Sequence, residues 1–205
     1  MSIGVGRIPL RAAALFCIAL LSIGDGPGWS RAQDAAGPEP PPDAPLLTPE
    51  QLASLVSPIA LYADPLVAQI LAAATYPLDI VEANRWLQAN PNLTGTALTD
   101  AAQQQNWDPS VQALIVFPQV VEMLDKNLKW TTDLGNAFLA QEQDVMDAVQ
   151  RQRQSASASG KLVSTPQENV QTSEQDGKPV IVIQPAQPEV IYVPVYNPAA
   201  IWGPP

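Results

Sequence analysis

The chain has 205 residues, 46% of them hydrophobic and only 15% charged, with 10 Lys and Arg against 20 Asp and Glu for a formal charge of −10. It has no histidine and one cysteine, which excludes a Ser-His-Asp triad, a His-ligated metal, an intramolecular disulfide and a Cys-rich zinc site. A chain this acidic is a poor partner for phosphate backbones, so nucleic acid is not an expected ligand.

The first segment reads as a leader. Arg7 and Arg11 precede an apolar run, Ala12 to Ile23, too short to span a bilayer. Ser30-Arg31-Ala32 then places small residues at the −3 and −1 positions of a cleavage site, and together these make a secretory signal peptide over residues 1–32. The alternative is an uncleaved anchor. Cys17 lies inside the apolar run, so cleavage after Ala32 leaves a cysteine-free mature chain that an oxidising compartment cannot mispair. The expected location is therefore the periplasm or cell envelope.

Residues 33–45 are Pro-rich and charged, too poor in apolar surface to fold, and read as a disordered tether. From Leu46 the pattern turns helical. Thr48-Pro49-Glu50-Gln51 is a capping-box start with Pro at the first helical position. Asp64-Pro65 and Asp108-Pro109 read as further starts with Asp as the cap, while Tyr76-Pro77 and Phe117-Pro118 interrupt apolar runs. Helices are predicted near 49–56, 58–63, 65–75, 77–89, 97–105, 109–116, 118–128 and 132–153. The stretches from Asp64 and from Asp108 share Asp-Pro, an apolar helix, an aromatic-Pro step, then Val-Glu and a tryptophan. They read as two related helical hairpins, or as a chance likeness of Pro-capped helices. In the last helix Leu134, Phe138, Gln141, Val145, Ala148 and Gln152 make a narrow seam, either capping the bundle or serving as an oligomerisation face.

Residues 155–160 (SASASG) read as a flexible linker, and 161–198 as a small β module. Val170–Ser173 and Pro179–Ile183 flank an Asp176-Gly177 turn, and Glu189–Tyr196 reads as a third, edge strand in which Pro194 removes a ladder donor. Tyr192 and Tyr196 then share one face, offered to a partner protein or to envelope sugars, or laid on the helices. An edge strand there could also accept a peptide. Asn197-Pro198 favours a turn, with 199–205 running outward as the start of a Pro-rich tail. The fold class expected is mainly α, a multi-helix bundle (46–154) of short Pro-capped helices with a small C-terminal β module, α+β overall.

The segments Leu55 to Pro77 (LVSPIALYADPLVAQILAAATYP), Val81 to Trp86 (VEANRW) and Ile181 to Pro198 (IVIQPAQPEVIYVPVYNP) resemble the bacterial family catalogued as domain of unknown function 3300. The resemblance spans about Leu46 to Trp202. It implies an exported, uncharacterised envelope protein and supplies no mechanism. Members usually continue into a long Pro-, Tyr- and Gly-rich tail. This sequence ends where such a tail would begin, so it reads as a fragment or a short member, with membrane attachment dependent on a tail beyond it.

Chemistry without His or Cys falls to carboxylates. Asp79 and Glu82, with Arg85 and Trp86 on the same helix, are weak catalytic candidates of glycosidase type. Glu82–Arg85 also reads as an ordinary surface pair. No calcium loop, phosphate-binding loop, dinucleotide fingerprint, nucleophile elbow or S-x-x-K arrangement occurs. No cofactor and no metal ligand set is expected. Trp86, Tyr192 and Tyr196 are the binding candidates. The function expected is a non-enzymatic interaction or scaffold module whose partner is an envelope protein or cell-wall component. The alternative is a carboxylate-dependent protein that binds or hydrolyses cell-wall glycan.

Overall fold

The computed structural model describes residues 46–175, 177–187 and 190–203. The expected leader and the Pro-rich tether lie outside these residues. In chain order the elements are α1 (Pro49–Val56), α2 (Asp64–Ala74), α3 (Pro77–Ala89), α4 (Gly95–Ala102), α5 (Pro109–Leu114), α6 (Pro118–Lys126), α7 (Leu128–Ala140), α8 (Glu142–Ala158), β1 (Glu168–Gln175), β2 (Lys178–Pro185) and α9 (Pro198–Trp202). The chain is mainly helical with one two-stranded antiparallel sheet, as the α+β reading expects.

Proline and capping chemistry set the helix starts. The Thr48 hydroxyl accepts from Gln51 N–H while the Gln51 side chain accepts from Thr48 N–H, so two otherwise unpaired donors of α1 are satisfied reciprocally. Asp108 caps α5 by accepting from Ser110 N–H at 2.8 Å. The two hairpins suggested by the repeated pattern do pack together, α2 on α5 and α3 on α6. Their aromatic-Pro breaks match in backbone shape, Tyr76 at φ −120°, ψ 61° and Phe117 at φ −117°, ψ 68°. Each also ends on an asparagine whose side-chain amide donates to the carbonyl four residues earlier, Asn90 to Trp86 and Asn127 to Met123.

The core runs through Leu52, Ile59, Leu66, Ile70, Leu71, Ile80, Val111, Leu114, Leu124 and Leu134, all essentially without solvent contact. At roughly 1.5–3 kcal/mol per fully buried aliphatic side chain, this apolar burial is the main force holding the short helices together. Gly135 on α7 permits its closest contact. A Cβ there would sit 2.1 Å from the Ala74 carbonyl oxygen, so the α7 and α2 backbones meet where only glycine fits.

Several expectations are corrected. Residues 58–63 form buried turns, not a helix, and Ala60 and Tyr62 offer their carbonyls to Arg153 at 2.8 and 3.0 Å in place of helical donors. Asp64 is not the cap of α2. The cap position is Ala63, and the Asp64 carboxylate turns instead to Arg153. The helix expected over 132–153 is two helices broken at Gln141 (φ −151°, ψ 54°). No Pro or Gly marks this break. The Gln141 side chain leaves to accept from Leu47 N–H at 2.7 Å and donate to its carbonyl at 3.2 Å. The seam residues Leu134, Val145 and Ala148 are buried in the chain's own core and Gln152 donates to Ala53 O, as the bundle-capping reading of this face expects. The first four residues of SASASG, Ser155 to Ala158, are the end of α8, because Ala156 is buried against Leu162, Ile181 and Ile183, and Ser159-Gly160 form the turn that follows.

The hairpin forms as the Asp-Gly turn suggests, in the register Glu168↔Pro185 to Gln175↔Lys178, with Gly177 at φ +74°. The third strand does not form. Among the described residues, 190–197 hold only an isolated bridge, Gln187↔Val190. The edge of β2 that it would need is already occupied. Gln150 accepts from Ile181 N–H and donates to its carbonyl, and Arg153 donates to the same carbonyl. Pro179 and Pro185 supply no donors at that edge. Nor does the chain run outward after Asn197. The Asn197 side chain caps α9, and Trp202 folds back to donate to Gln152 O at 3.1 Å.

Candidate functional site

The carboxylate candidates lie on α3 facing the connection between α4 and α5. Asp79 accepts from Asp108 N–H at 2.8 Å, and Glu82 accepts from the indole N–H of Trp107 at 3.3 Å. Trp86 meets Trp107 edge to face at 5.6 Å. The pair expected between Glu82 and Arg85 does not form, because the Glu82 carboxylate is drawn to Trp107. Burial resists ionisation of Asp108, but its bonds from Ser110 outweigh this and hold the carboxyl below its ordinary value. The Asp108 charge in turn pushes the neighbouring Tyr76 hydroxyl up. Asp79, Glu82 and Trp86 are thus brought together, as fasteners of α3 to the α4–α5 connection.

The two tyrosine candidates separate. Tyr196 is turned inward. Its hydroxyl donates to Ser57 O at 2.8 Å and accepts from Leu61 N–H at 3.3 Å, and its ring meets Tyr62 and Trp202 edge to face, each at 6.0 Å. Burial pushes its ionisation far above the ordinary range. Tyr192 is 47% exposed. The shared face predicted for a strand fails because 190–197 is not extended in a sheet, so alternation no longer fixes orientation.

The sequence gives no sign of a groove of about 710 Å³ between α1 and α7. Leu47, Leu55, Trp130 and Ala137 make its apolar lining, and Glu50 and Asp133 bring carboxylates to it. The groove exists because α1 packs against α8 while Gly135 pins α7 to the end of α2. Its walls are fixed by hydrogen bonds, the Trp130 indole N–H to Leu55 O at 2.9 Å and the Gln141 amide to both backbone groups of Leu47. The contributing positions lie far apart in sequence and carry no motif. Only the adjacent Leu46-Leu47 before a cap hinted at apolar surface there.

No grouping of three or more metal-ligating side chains occurs among the described residues. No single described helix is long and apolar enough to cross a membrane. The α2–α3 pair reaches that length only across a 109° bend, and α2 is largely buried in the core.

The sequence profile of a family described as "Protein of unknown function (DUF3300)" matches residues 48–204. An Escherichia coli K12 protein described as "Uncharacterized protein YacH" is 38% identical over 181 residues, covering 75% of this chain and 29% of that protein. The chain therefore spans less than a third of that relative's length. No solved structure matches.

Proposed function

We propose, from the premise that the chain belongs to the DUF3300 family of proteins of unknown function, that it is a non-enzymatic interaction or scaffold module of the cell envelope. The observation that carries this reading is the engagement of both candidate carboxylates. Asp79 holds a backbone N–H and Glu82 holds an indole, so each has a structural partner in place of a substrate. The absence of histidine from the whole sequence removes the commonest general base. Export is supported by the basic, apolar and small-residue pattern of residues 1–32.

The competing reading, a carboxylate-dependent protein that binds or hydrolyses cell-wall glycan, rests on Asp79, Glu82 and Trp86. Sedimentation of purified protein with insoluble peptidoglycan, run beside retention of envelope proteins on immobilised protein, separates the two. The module reading expects no peptidoglycan retention or breakdown and reproducible retention of an envelope protein. The opposite pattern rejects it. N-terminal sequencing of protein from cell fractions tests export, with a start after Ala32 in the envelope fraction expected and an intact Met1 in the cytoplasm opposed to it.

A further inference from the structure

We propose that the β1–β2 hairpin is an acid-tightened flap, docked on α2 and α8 while Glu168 carries a proton and opening more often as that carboxyl ionises. The helices stay folded in both states. The device is independent of whether the protein is a scaffold or a glycan binder.

The hairpin is attached to the helices through one strand. It is β2 that packs on α2 and α8. Among the described residues, the side-chain bonds from these two helices reach β2. Gln150 grips both backbone groups of Ile181, Arg153 and Gln154 donate to the Ile181 and Pro179 carbonyls, and Asp64 accepts from Ile183 N–H. Ile181 and Ile183 close a small apolar cluster with Leu61, Ala156 and Leu162, distinct from the bundle core. Opening the hairpin gives up that cluster and leaves the bundle core intact, so it costs far less than unfolding the chain.

Glu168 makes this opening sensitive to protons. The pairings Glu168↔Pro185 and Val170↔Ile183 place its carboxylate on the face that carries Ile183, the face laid on the helices. The residue is 8% exposed, and one carboxylate oxygen has no hydrogen-bond partner. Arg153 on α8 is the cation that acts on it, yet the guanidinium bonds run to Asp64 on α2 and to three carbonyls. The other charges around the hairpin are engaged elsewhere or distant. Arg151 on α8 acts on Glu50, Lys161 is turned to the Ala200 carbonyl, and Glu174 and Lys178 are exposed toward the turn. Burial therefore outweighs Arg153 and favours the neutral carboxyl while the hairpin is docked. In the open hairpin the same group is solvated. The docked state thus binds the proton more tightly, and a ligand shifts an equilibrium toward the state it prefers. Docking is firmest at low pH and weakens as pH rises through the docked value.

The test is native-state amide hydrogen exchange of the full chain at about pH 5 and about pH 7.5, read by mass spectrometry. Rates are expressed as protection factors, so that the intrinsic pH dependence of exchange cancels. Glu168→Gln keeps the shape of the side chain without its titration, and Glu168→Leu serves as a second variant should the buried amide prevent folding. Glu174→Gln, at an exposed position on the same strand, is the control. Circular dichroism at both pH values verifies that each is folded. In the wild type, protection of β2 should fall about threefold or more between the lower and the higher pH, while α2 and α3 keep theirs. Glu174→Gln should behave as the wild type does. Glu168→Gln or Glu168→Leu should hold β2 equally protected at both pH values. Wild-type protection of β2 that does not change with pH would overturn the proposal. So would a change that survives in the Glu168 variants, or one in which α2 and α3 lose protection in step with the hairpin.

Discussion

Arg153 on α8 and Asp64 at the start of α2, 89 positions apart, form an ion pair in which the guanidinium is buried and the carboxylate half exposed. The same guanidinium donates to the carbonyls of Ala60, Tyr62 and Ile181. One side chain therefore ties the irregular 58–63 turns, α2 and the hairpin to the last long helix. A buried cation is tolerable only when it is paired and hydrogen-bonded, and Arg supplies the several planar donors that Lys lacks.

Removing it should be severe. Arg153→Met leaves the Ala60 and Tyr62 carbonyls without their donor and Asp64 without its cation, while Gln150 still bonds Ile181 O, and should destabilise the protein by about 3–5 kcal/mol in urea unfolding, with Arg153→Lys recovering only a small part. A loss below about 1 kcal/mol would show that water substitutes for the guanidinium at those carbonyls.

Gly135 makes a sharper structural test. A Cβ at 2.1 Å from the Ala74 carbonyl oxygen and 2.9 Å from Thr75 N meets backbone on both counts, so relief requires α7 to part from α2. Gly135→Ala should destabilise by about 1–3 kcal/mol or more, although alanine is the better helix former. Unchanged or raised stability would mean the two helices separate freely, and with them the wall of the groove.

The tyrosines should behave oppositely. Tyr196→Ala removes a partly buried ring packed on Tyr62 and Trp202 and should cost about 2–4 kcal/mol. Tyr196→Phe leaves Leu61 N–H without its acceptor and should cost about 1–3 kcal/mol. Tyr192→Ala, at an exposed position, should stay within about 0.5 kcal/mol. Melting curves of the three variants decide, and a costly Tyr192→Ala beside a neutral Tyr196→Ala would reverse the assignment.

Much of the helical half was legible, because Pro, Thr and Asp fix local φ and cap donors irrespective of tertiary context. Thr48-Pro49 and Tyr76-Pro77 mark the starts of α1 and α3, and Asp176-Gly177 marks the hairpin. What could not be read was where polar side chains go once the chain is folded. Gln141 breaks a helix to hold Leu47, Asp64 leaves its cap role for Arg153, and Gln150 fills the sheet edge that a third strand would have used. Each partner lies far away in sequence, and no local pattern encodes it. The site residues illustrate the same limit. Asp79 and Glu82 were visible as acidic residues on one helix, but their donors, Asp108 N–H and Trp107, were not.

Glu168 predicts a pH dependence. It is buried at the start of β1, and one of its carboxylate oxygens has no hydrogen-bond partner. Burial raises its pKa above the ordinary 4.5, partly opposed by the Arg153 charge. A raised folded value means the native state binds this proton more tightly than the unfolded chain. Its penalty is thus absent at pH below 4.5 and grows as pH rises through the folded value. Glu168→Gln should raise the melting temperature at pH 7, with the difference closing as pH falls toward 4. A difference that instead widens toward low pH would contradict the raised value.

The proposed module reading requires Asp79 and Glu82 to hold α3 to the α4–α5 connection through Asp108 N–H and the Trp107 indole. The most direct measurement compares Asp79→Asn/Glu82→Gln with Asp79→Ala/Glu82→Ala for melting and for peptidoglycan retention and breakdown. The Asn/Gln pair keeps an acceptor at each position, so it should melt within about 1 kcal/mol of wild type. The Ala pair orphans a backbone N–H and an indole N–H and should lose about 2–4 kcal/mol. Neither wild type nor variants should retain or degrade peptidoglycan. A wild-type protein that does so, and an Asn/Gln variant that loses the property at an unchanged melting temperature, would contradict the claim.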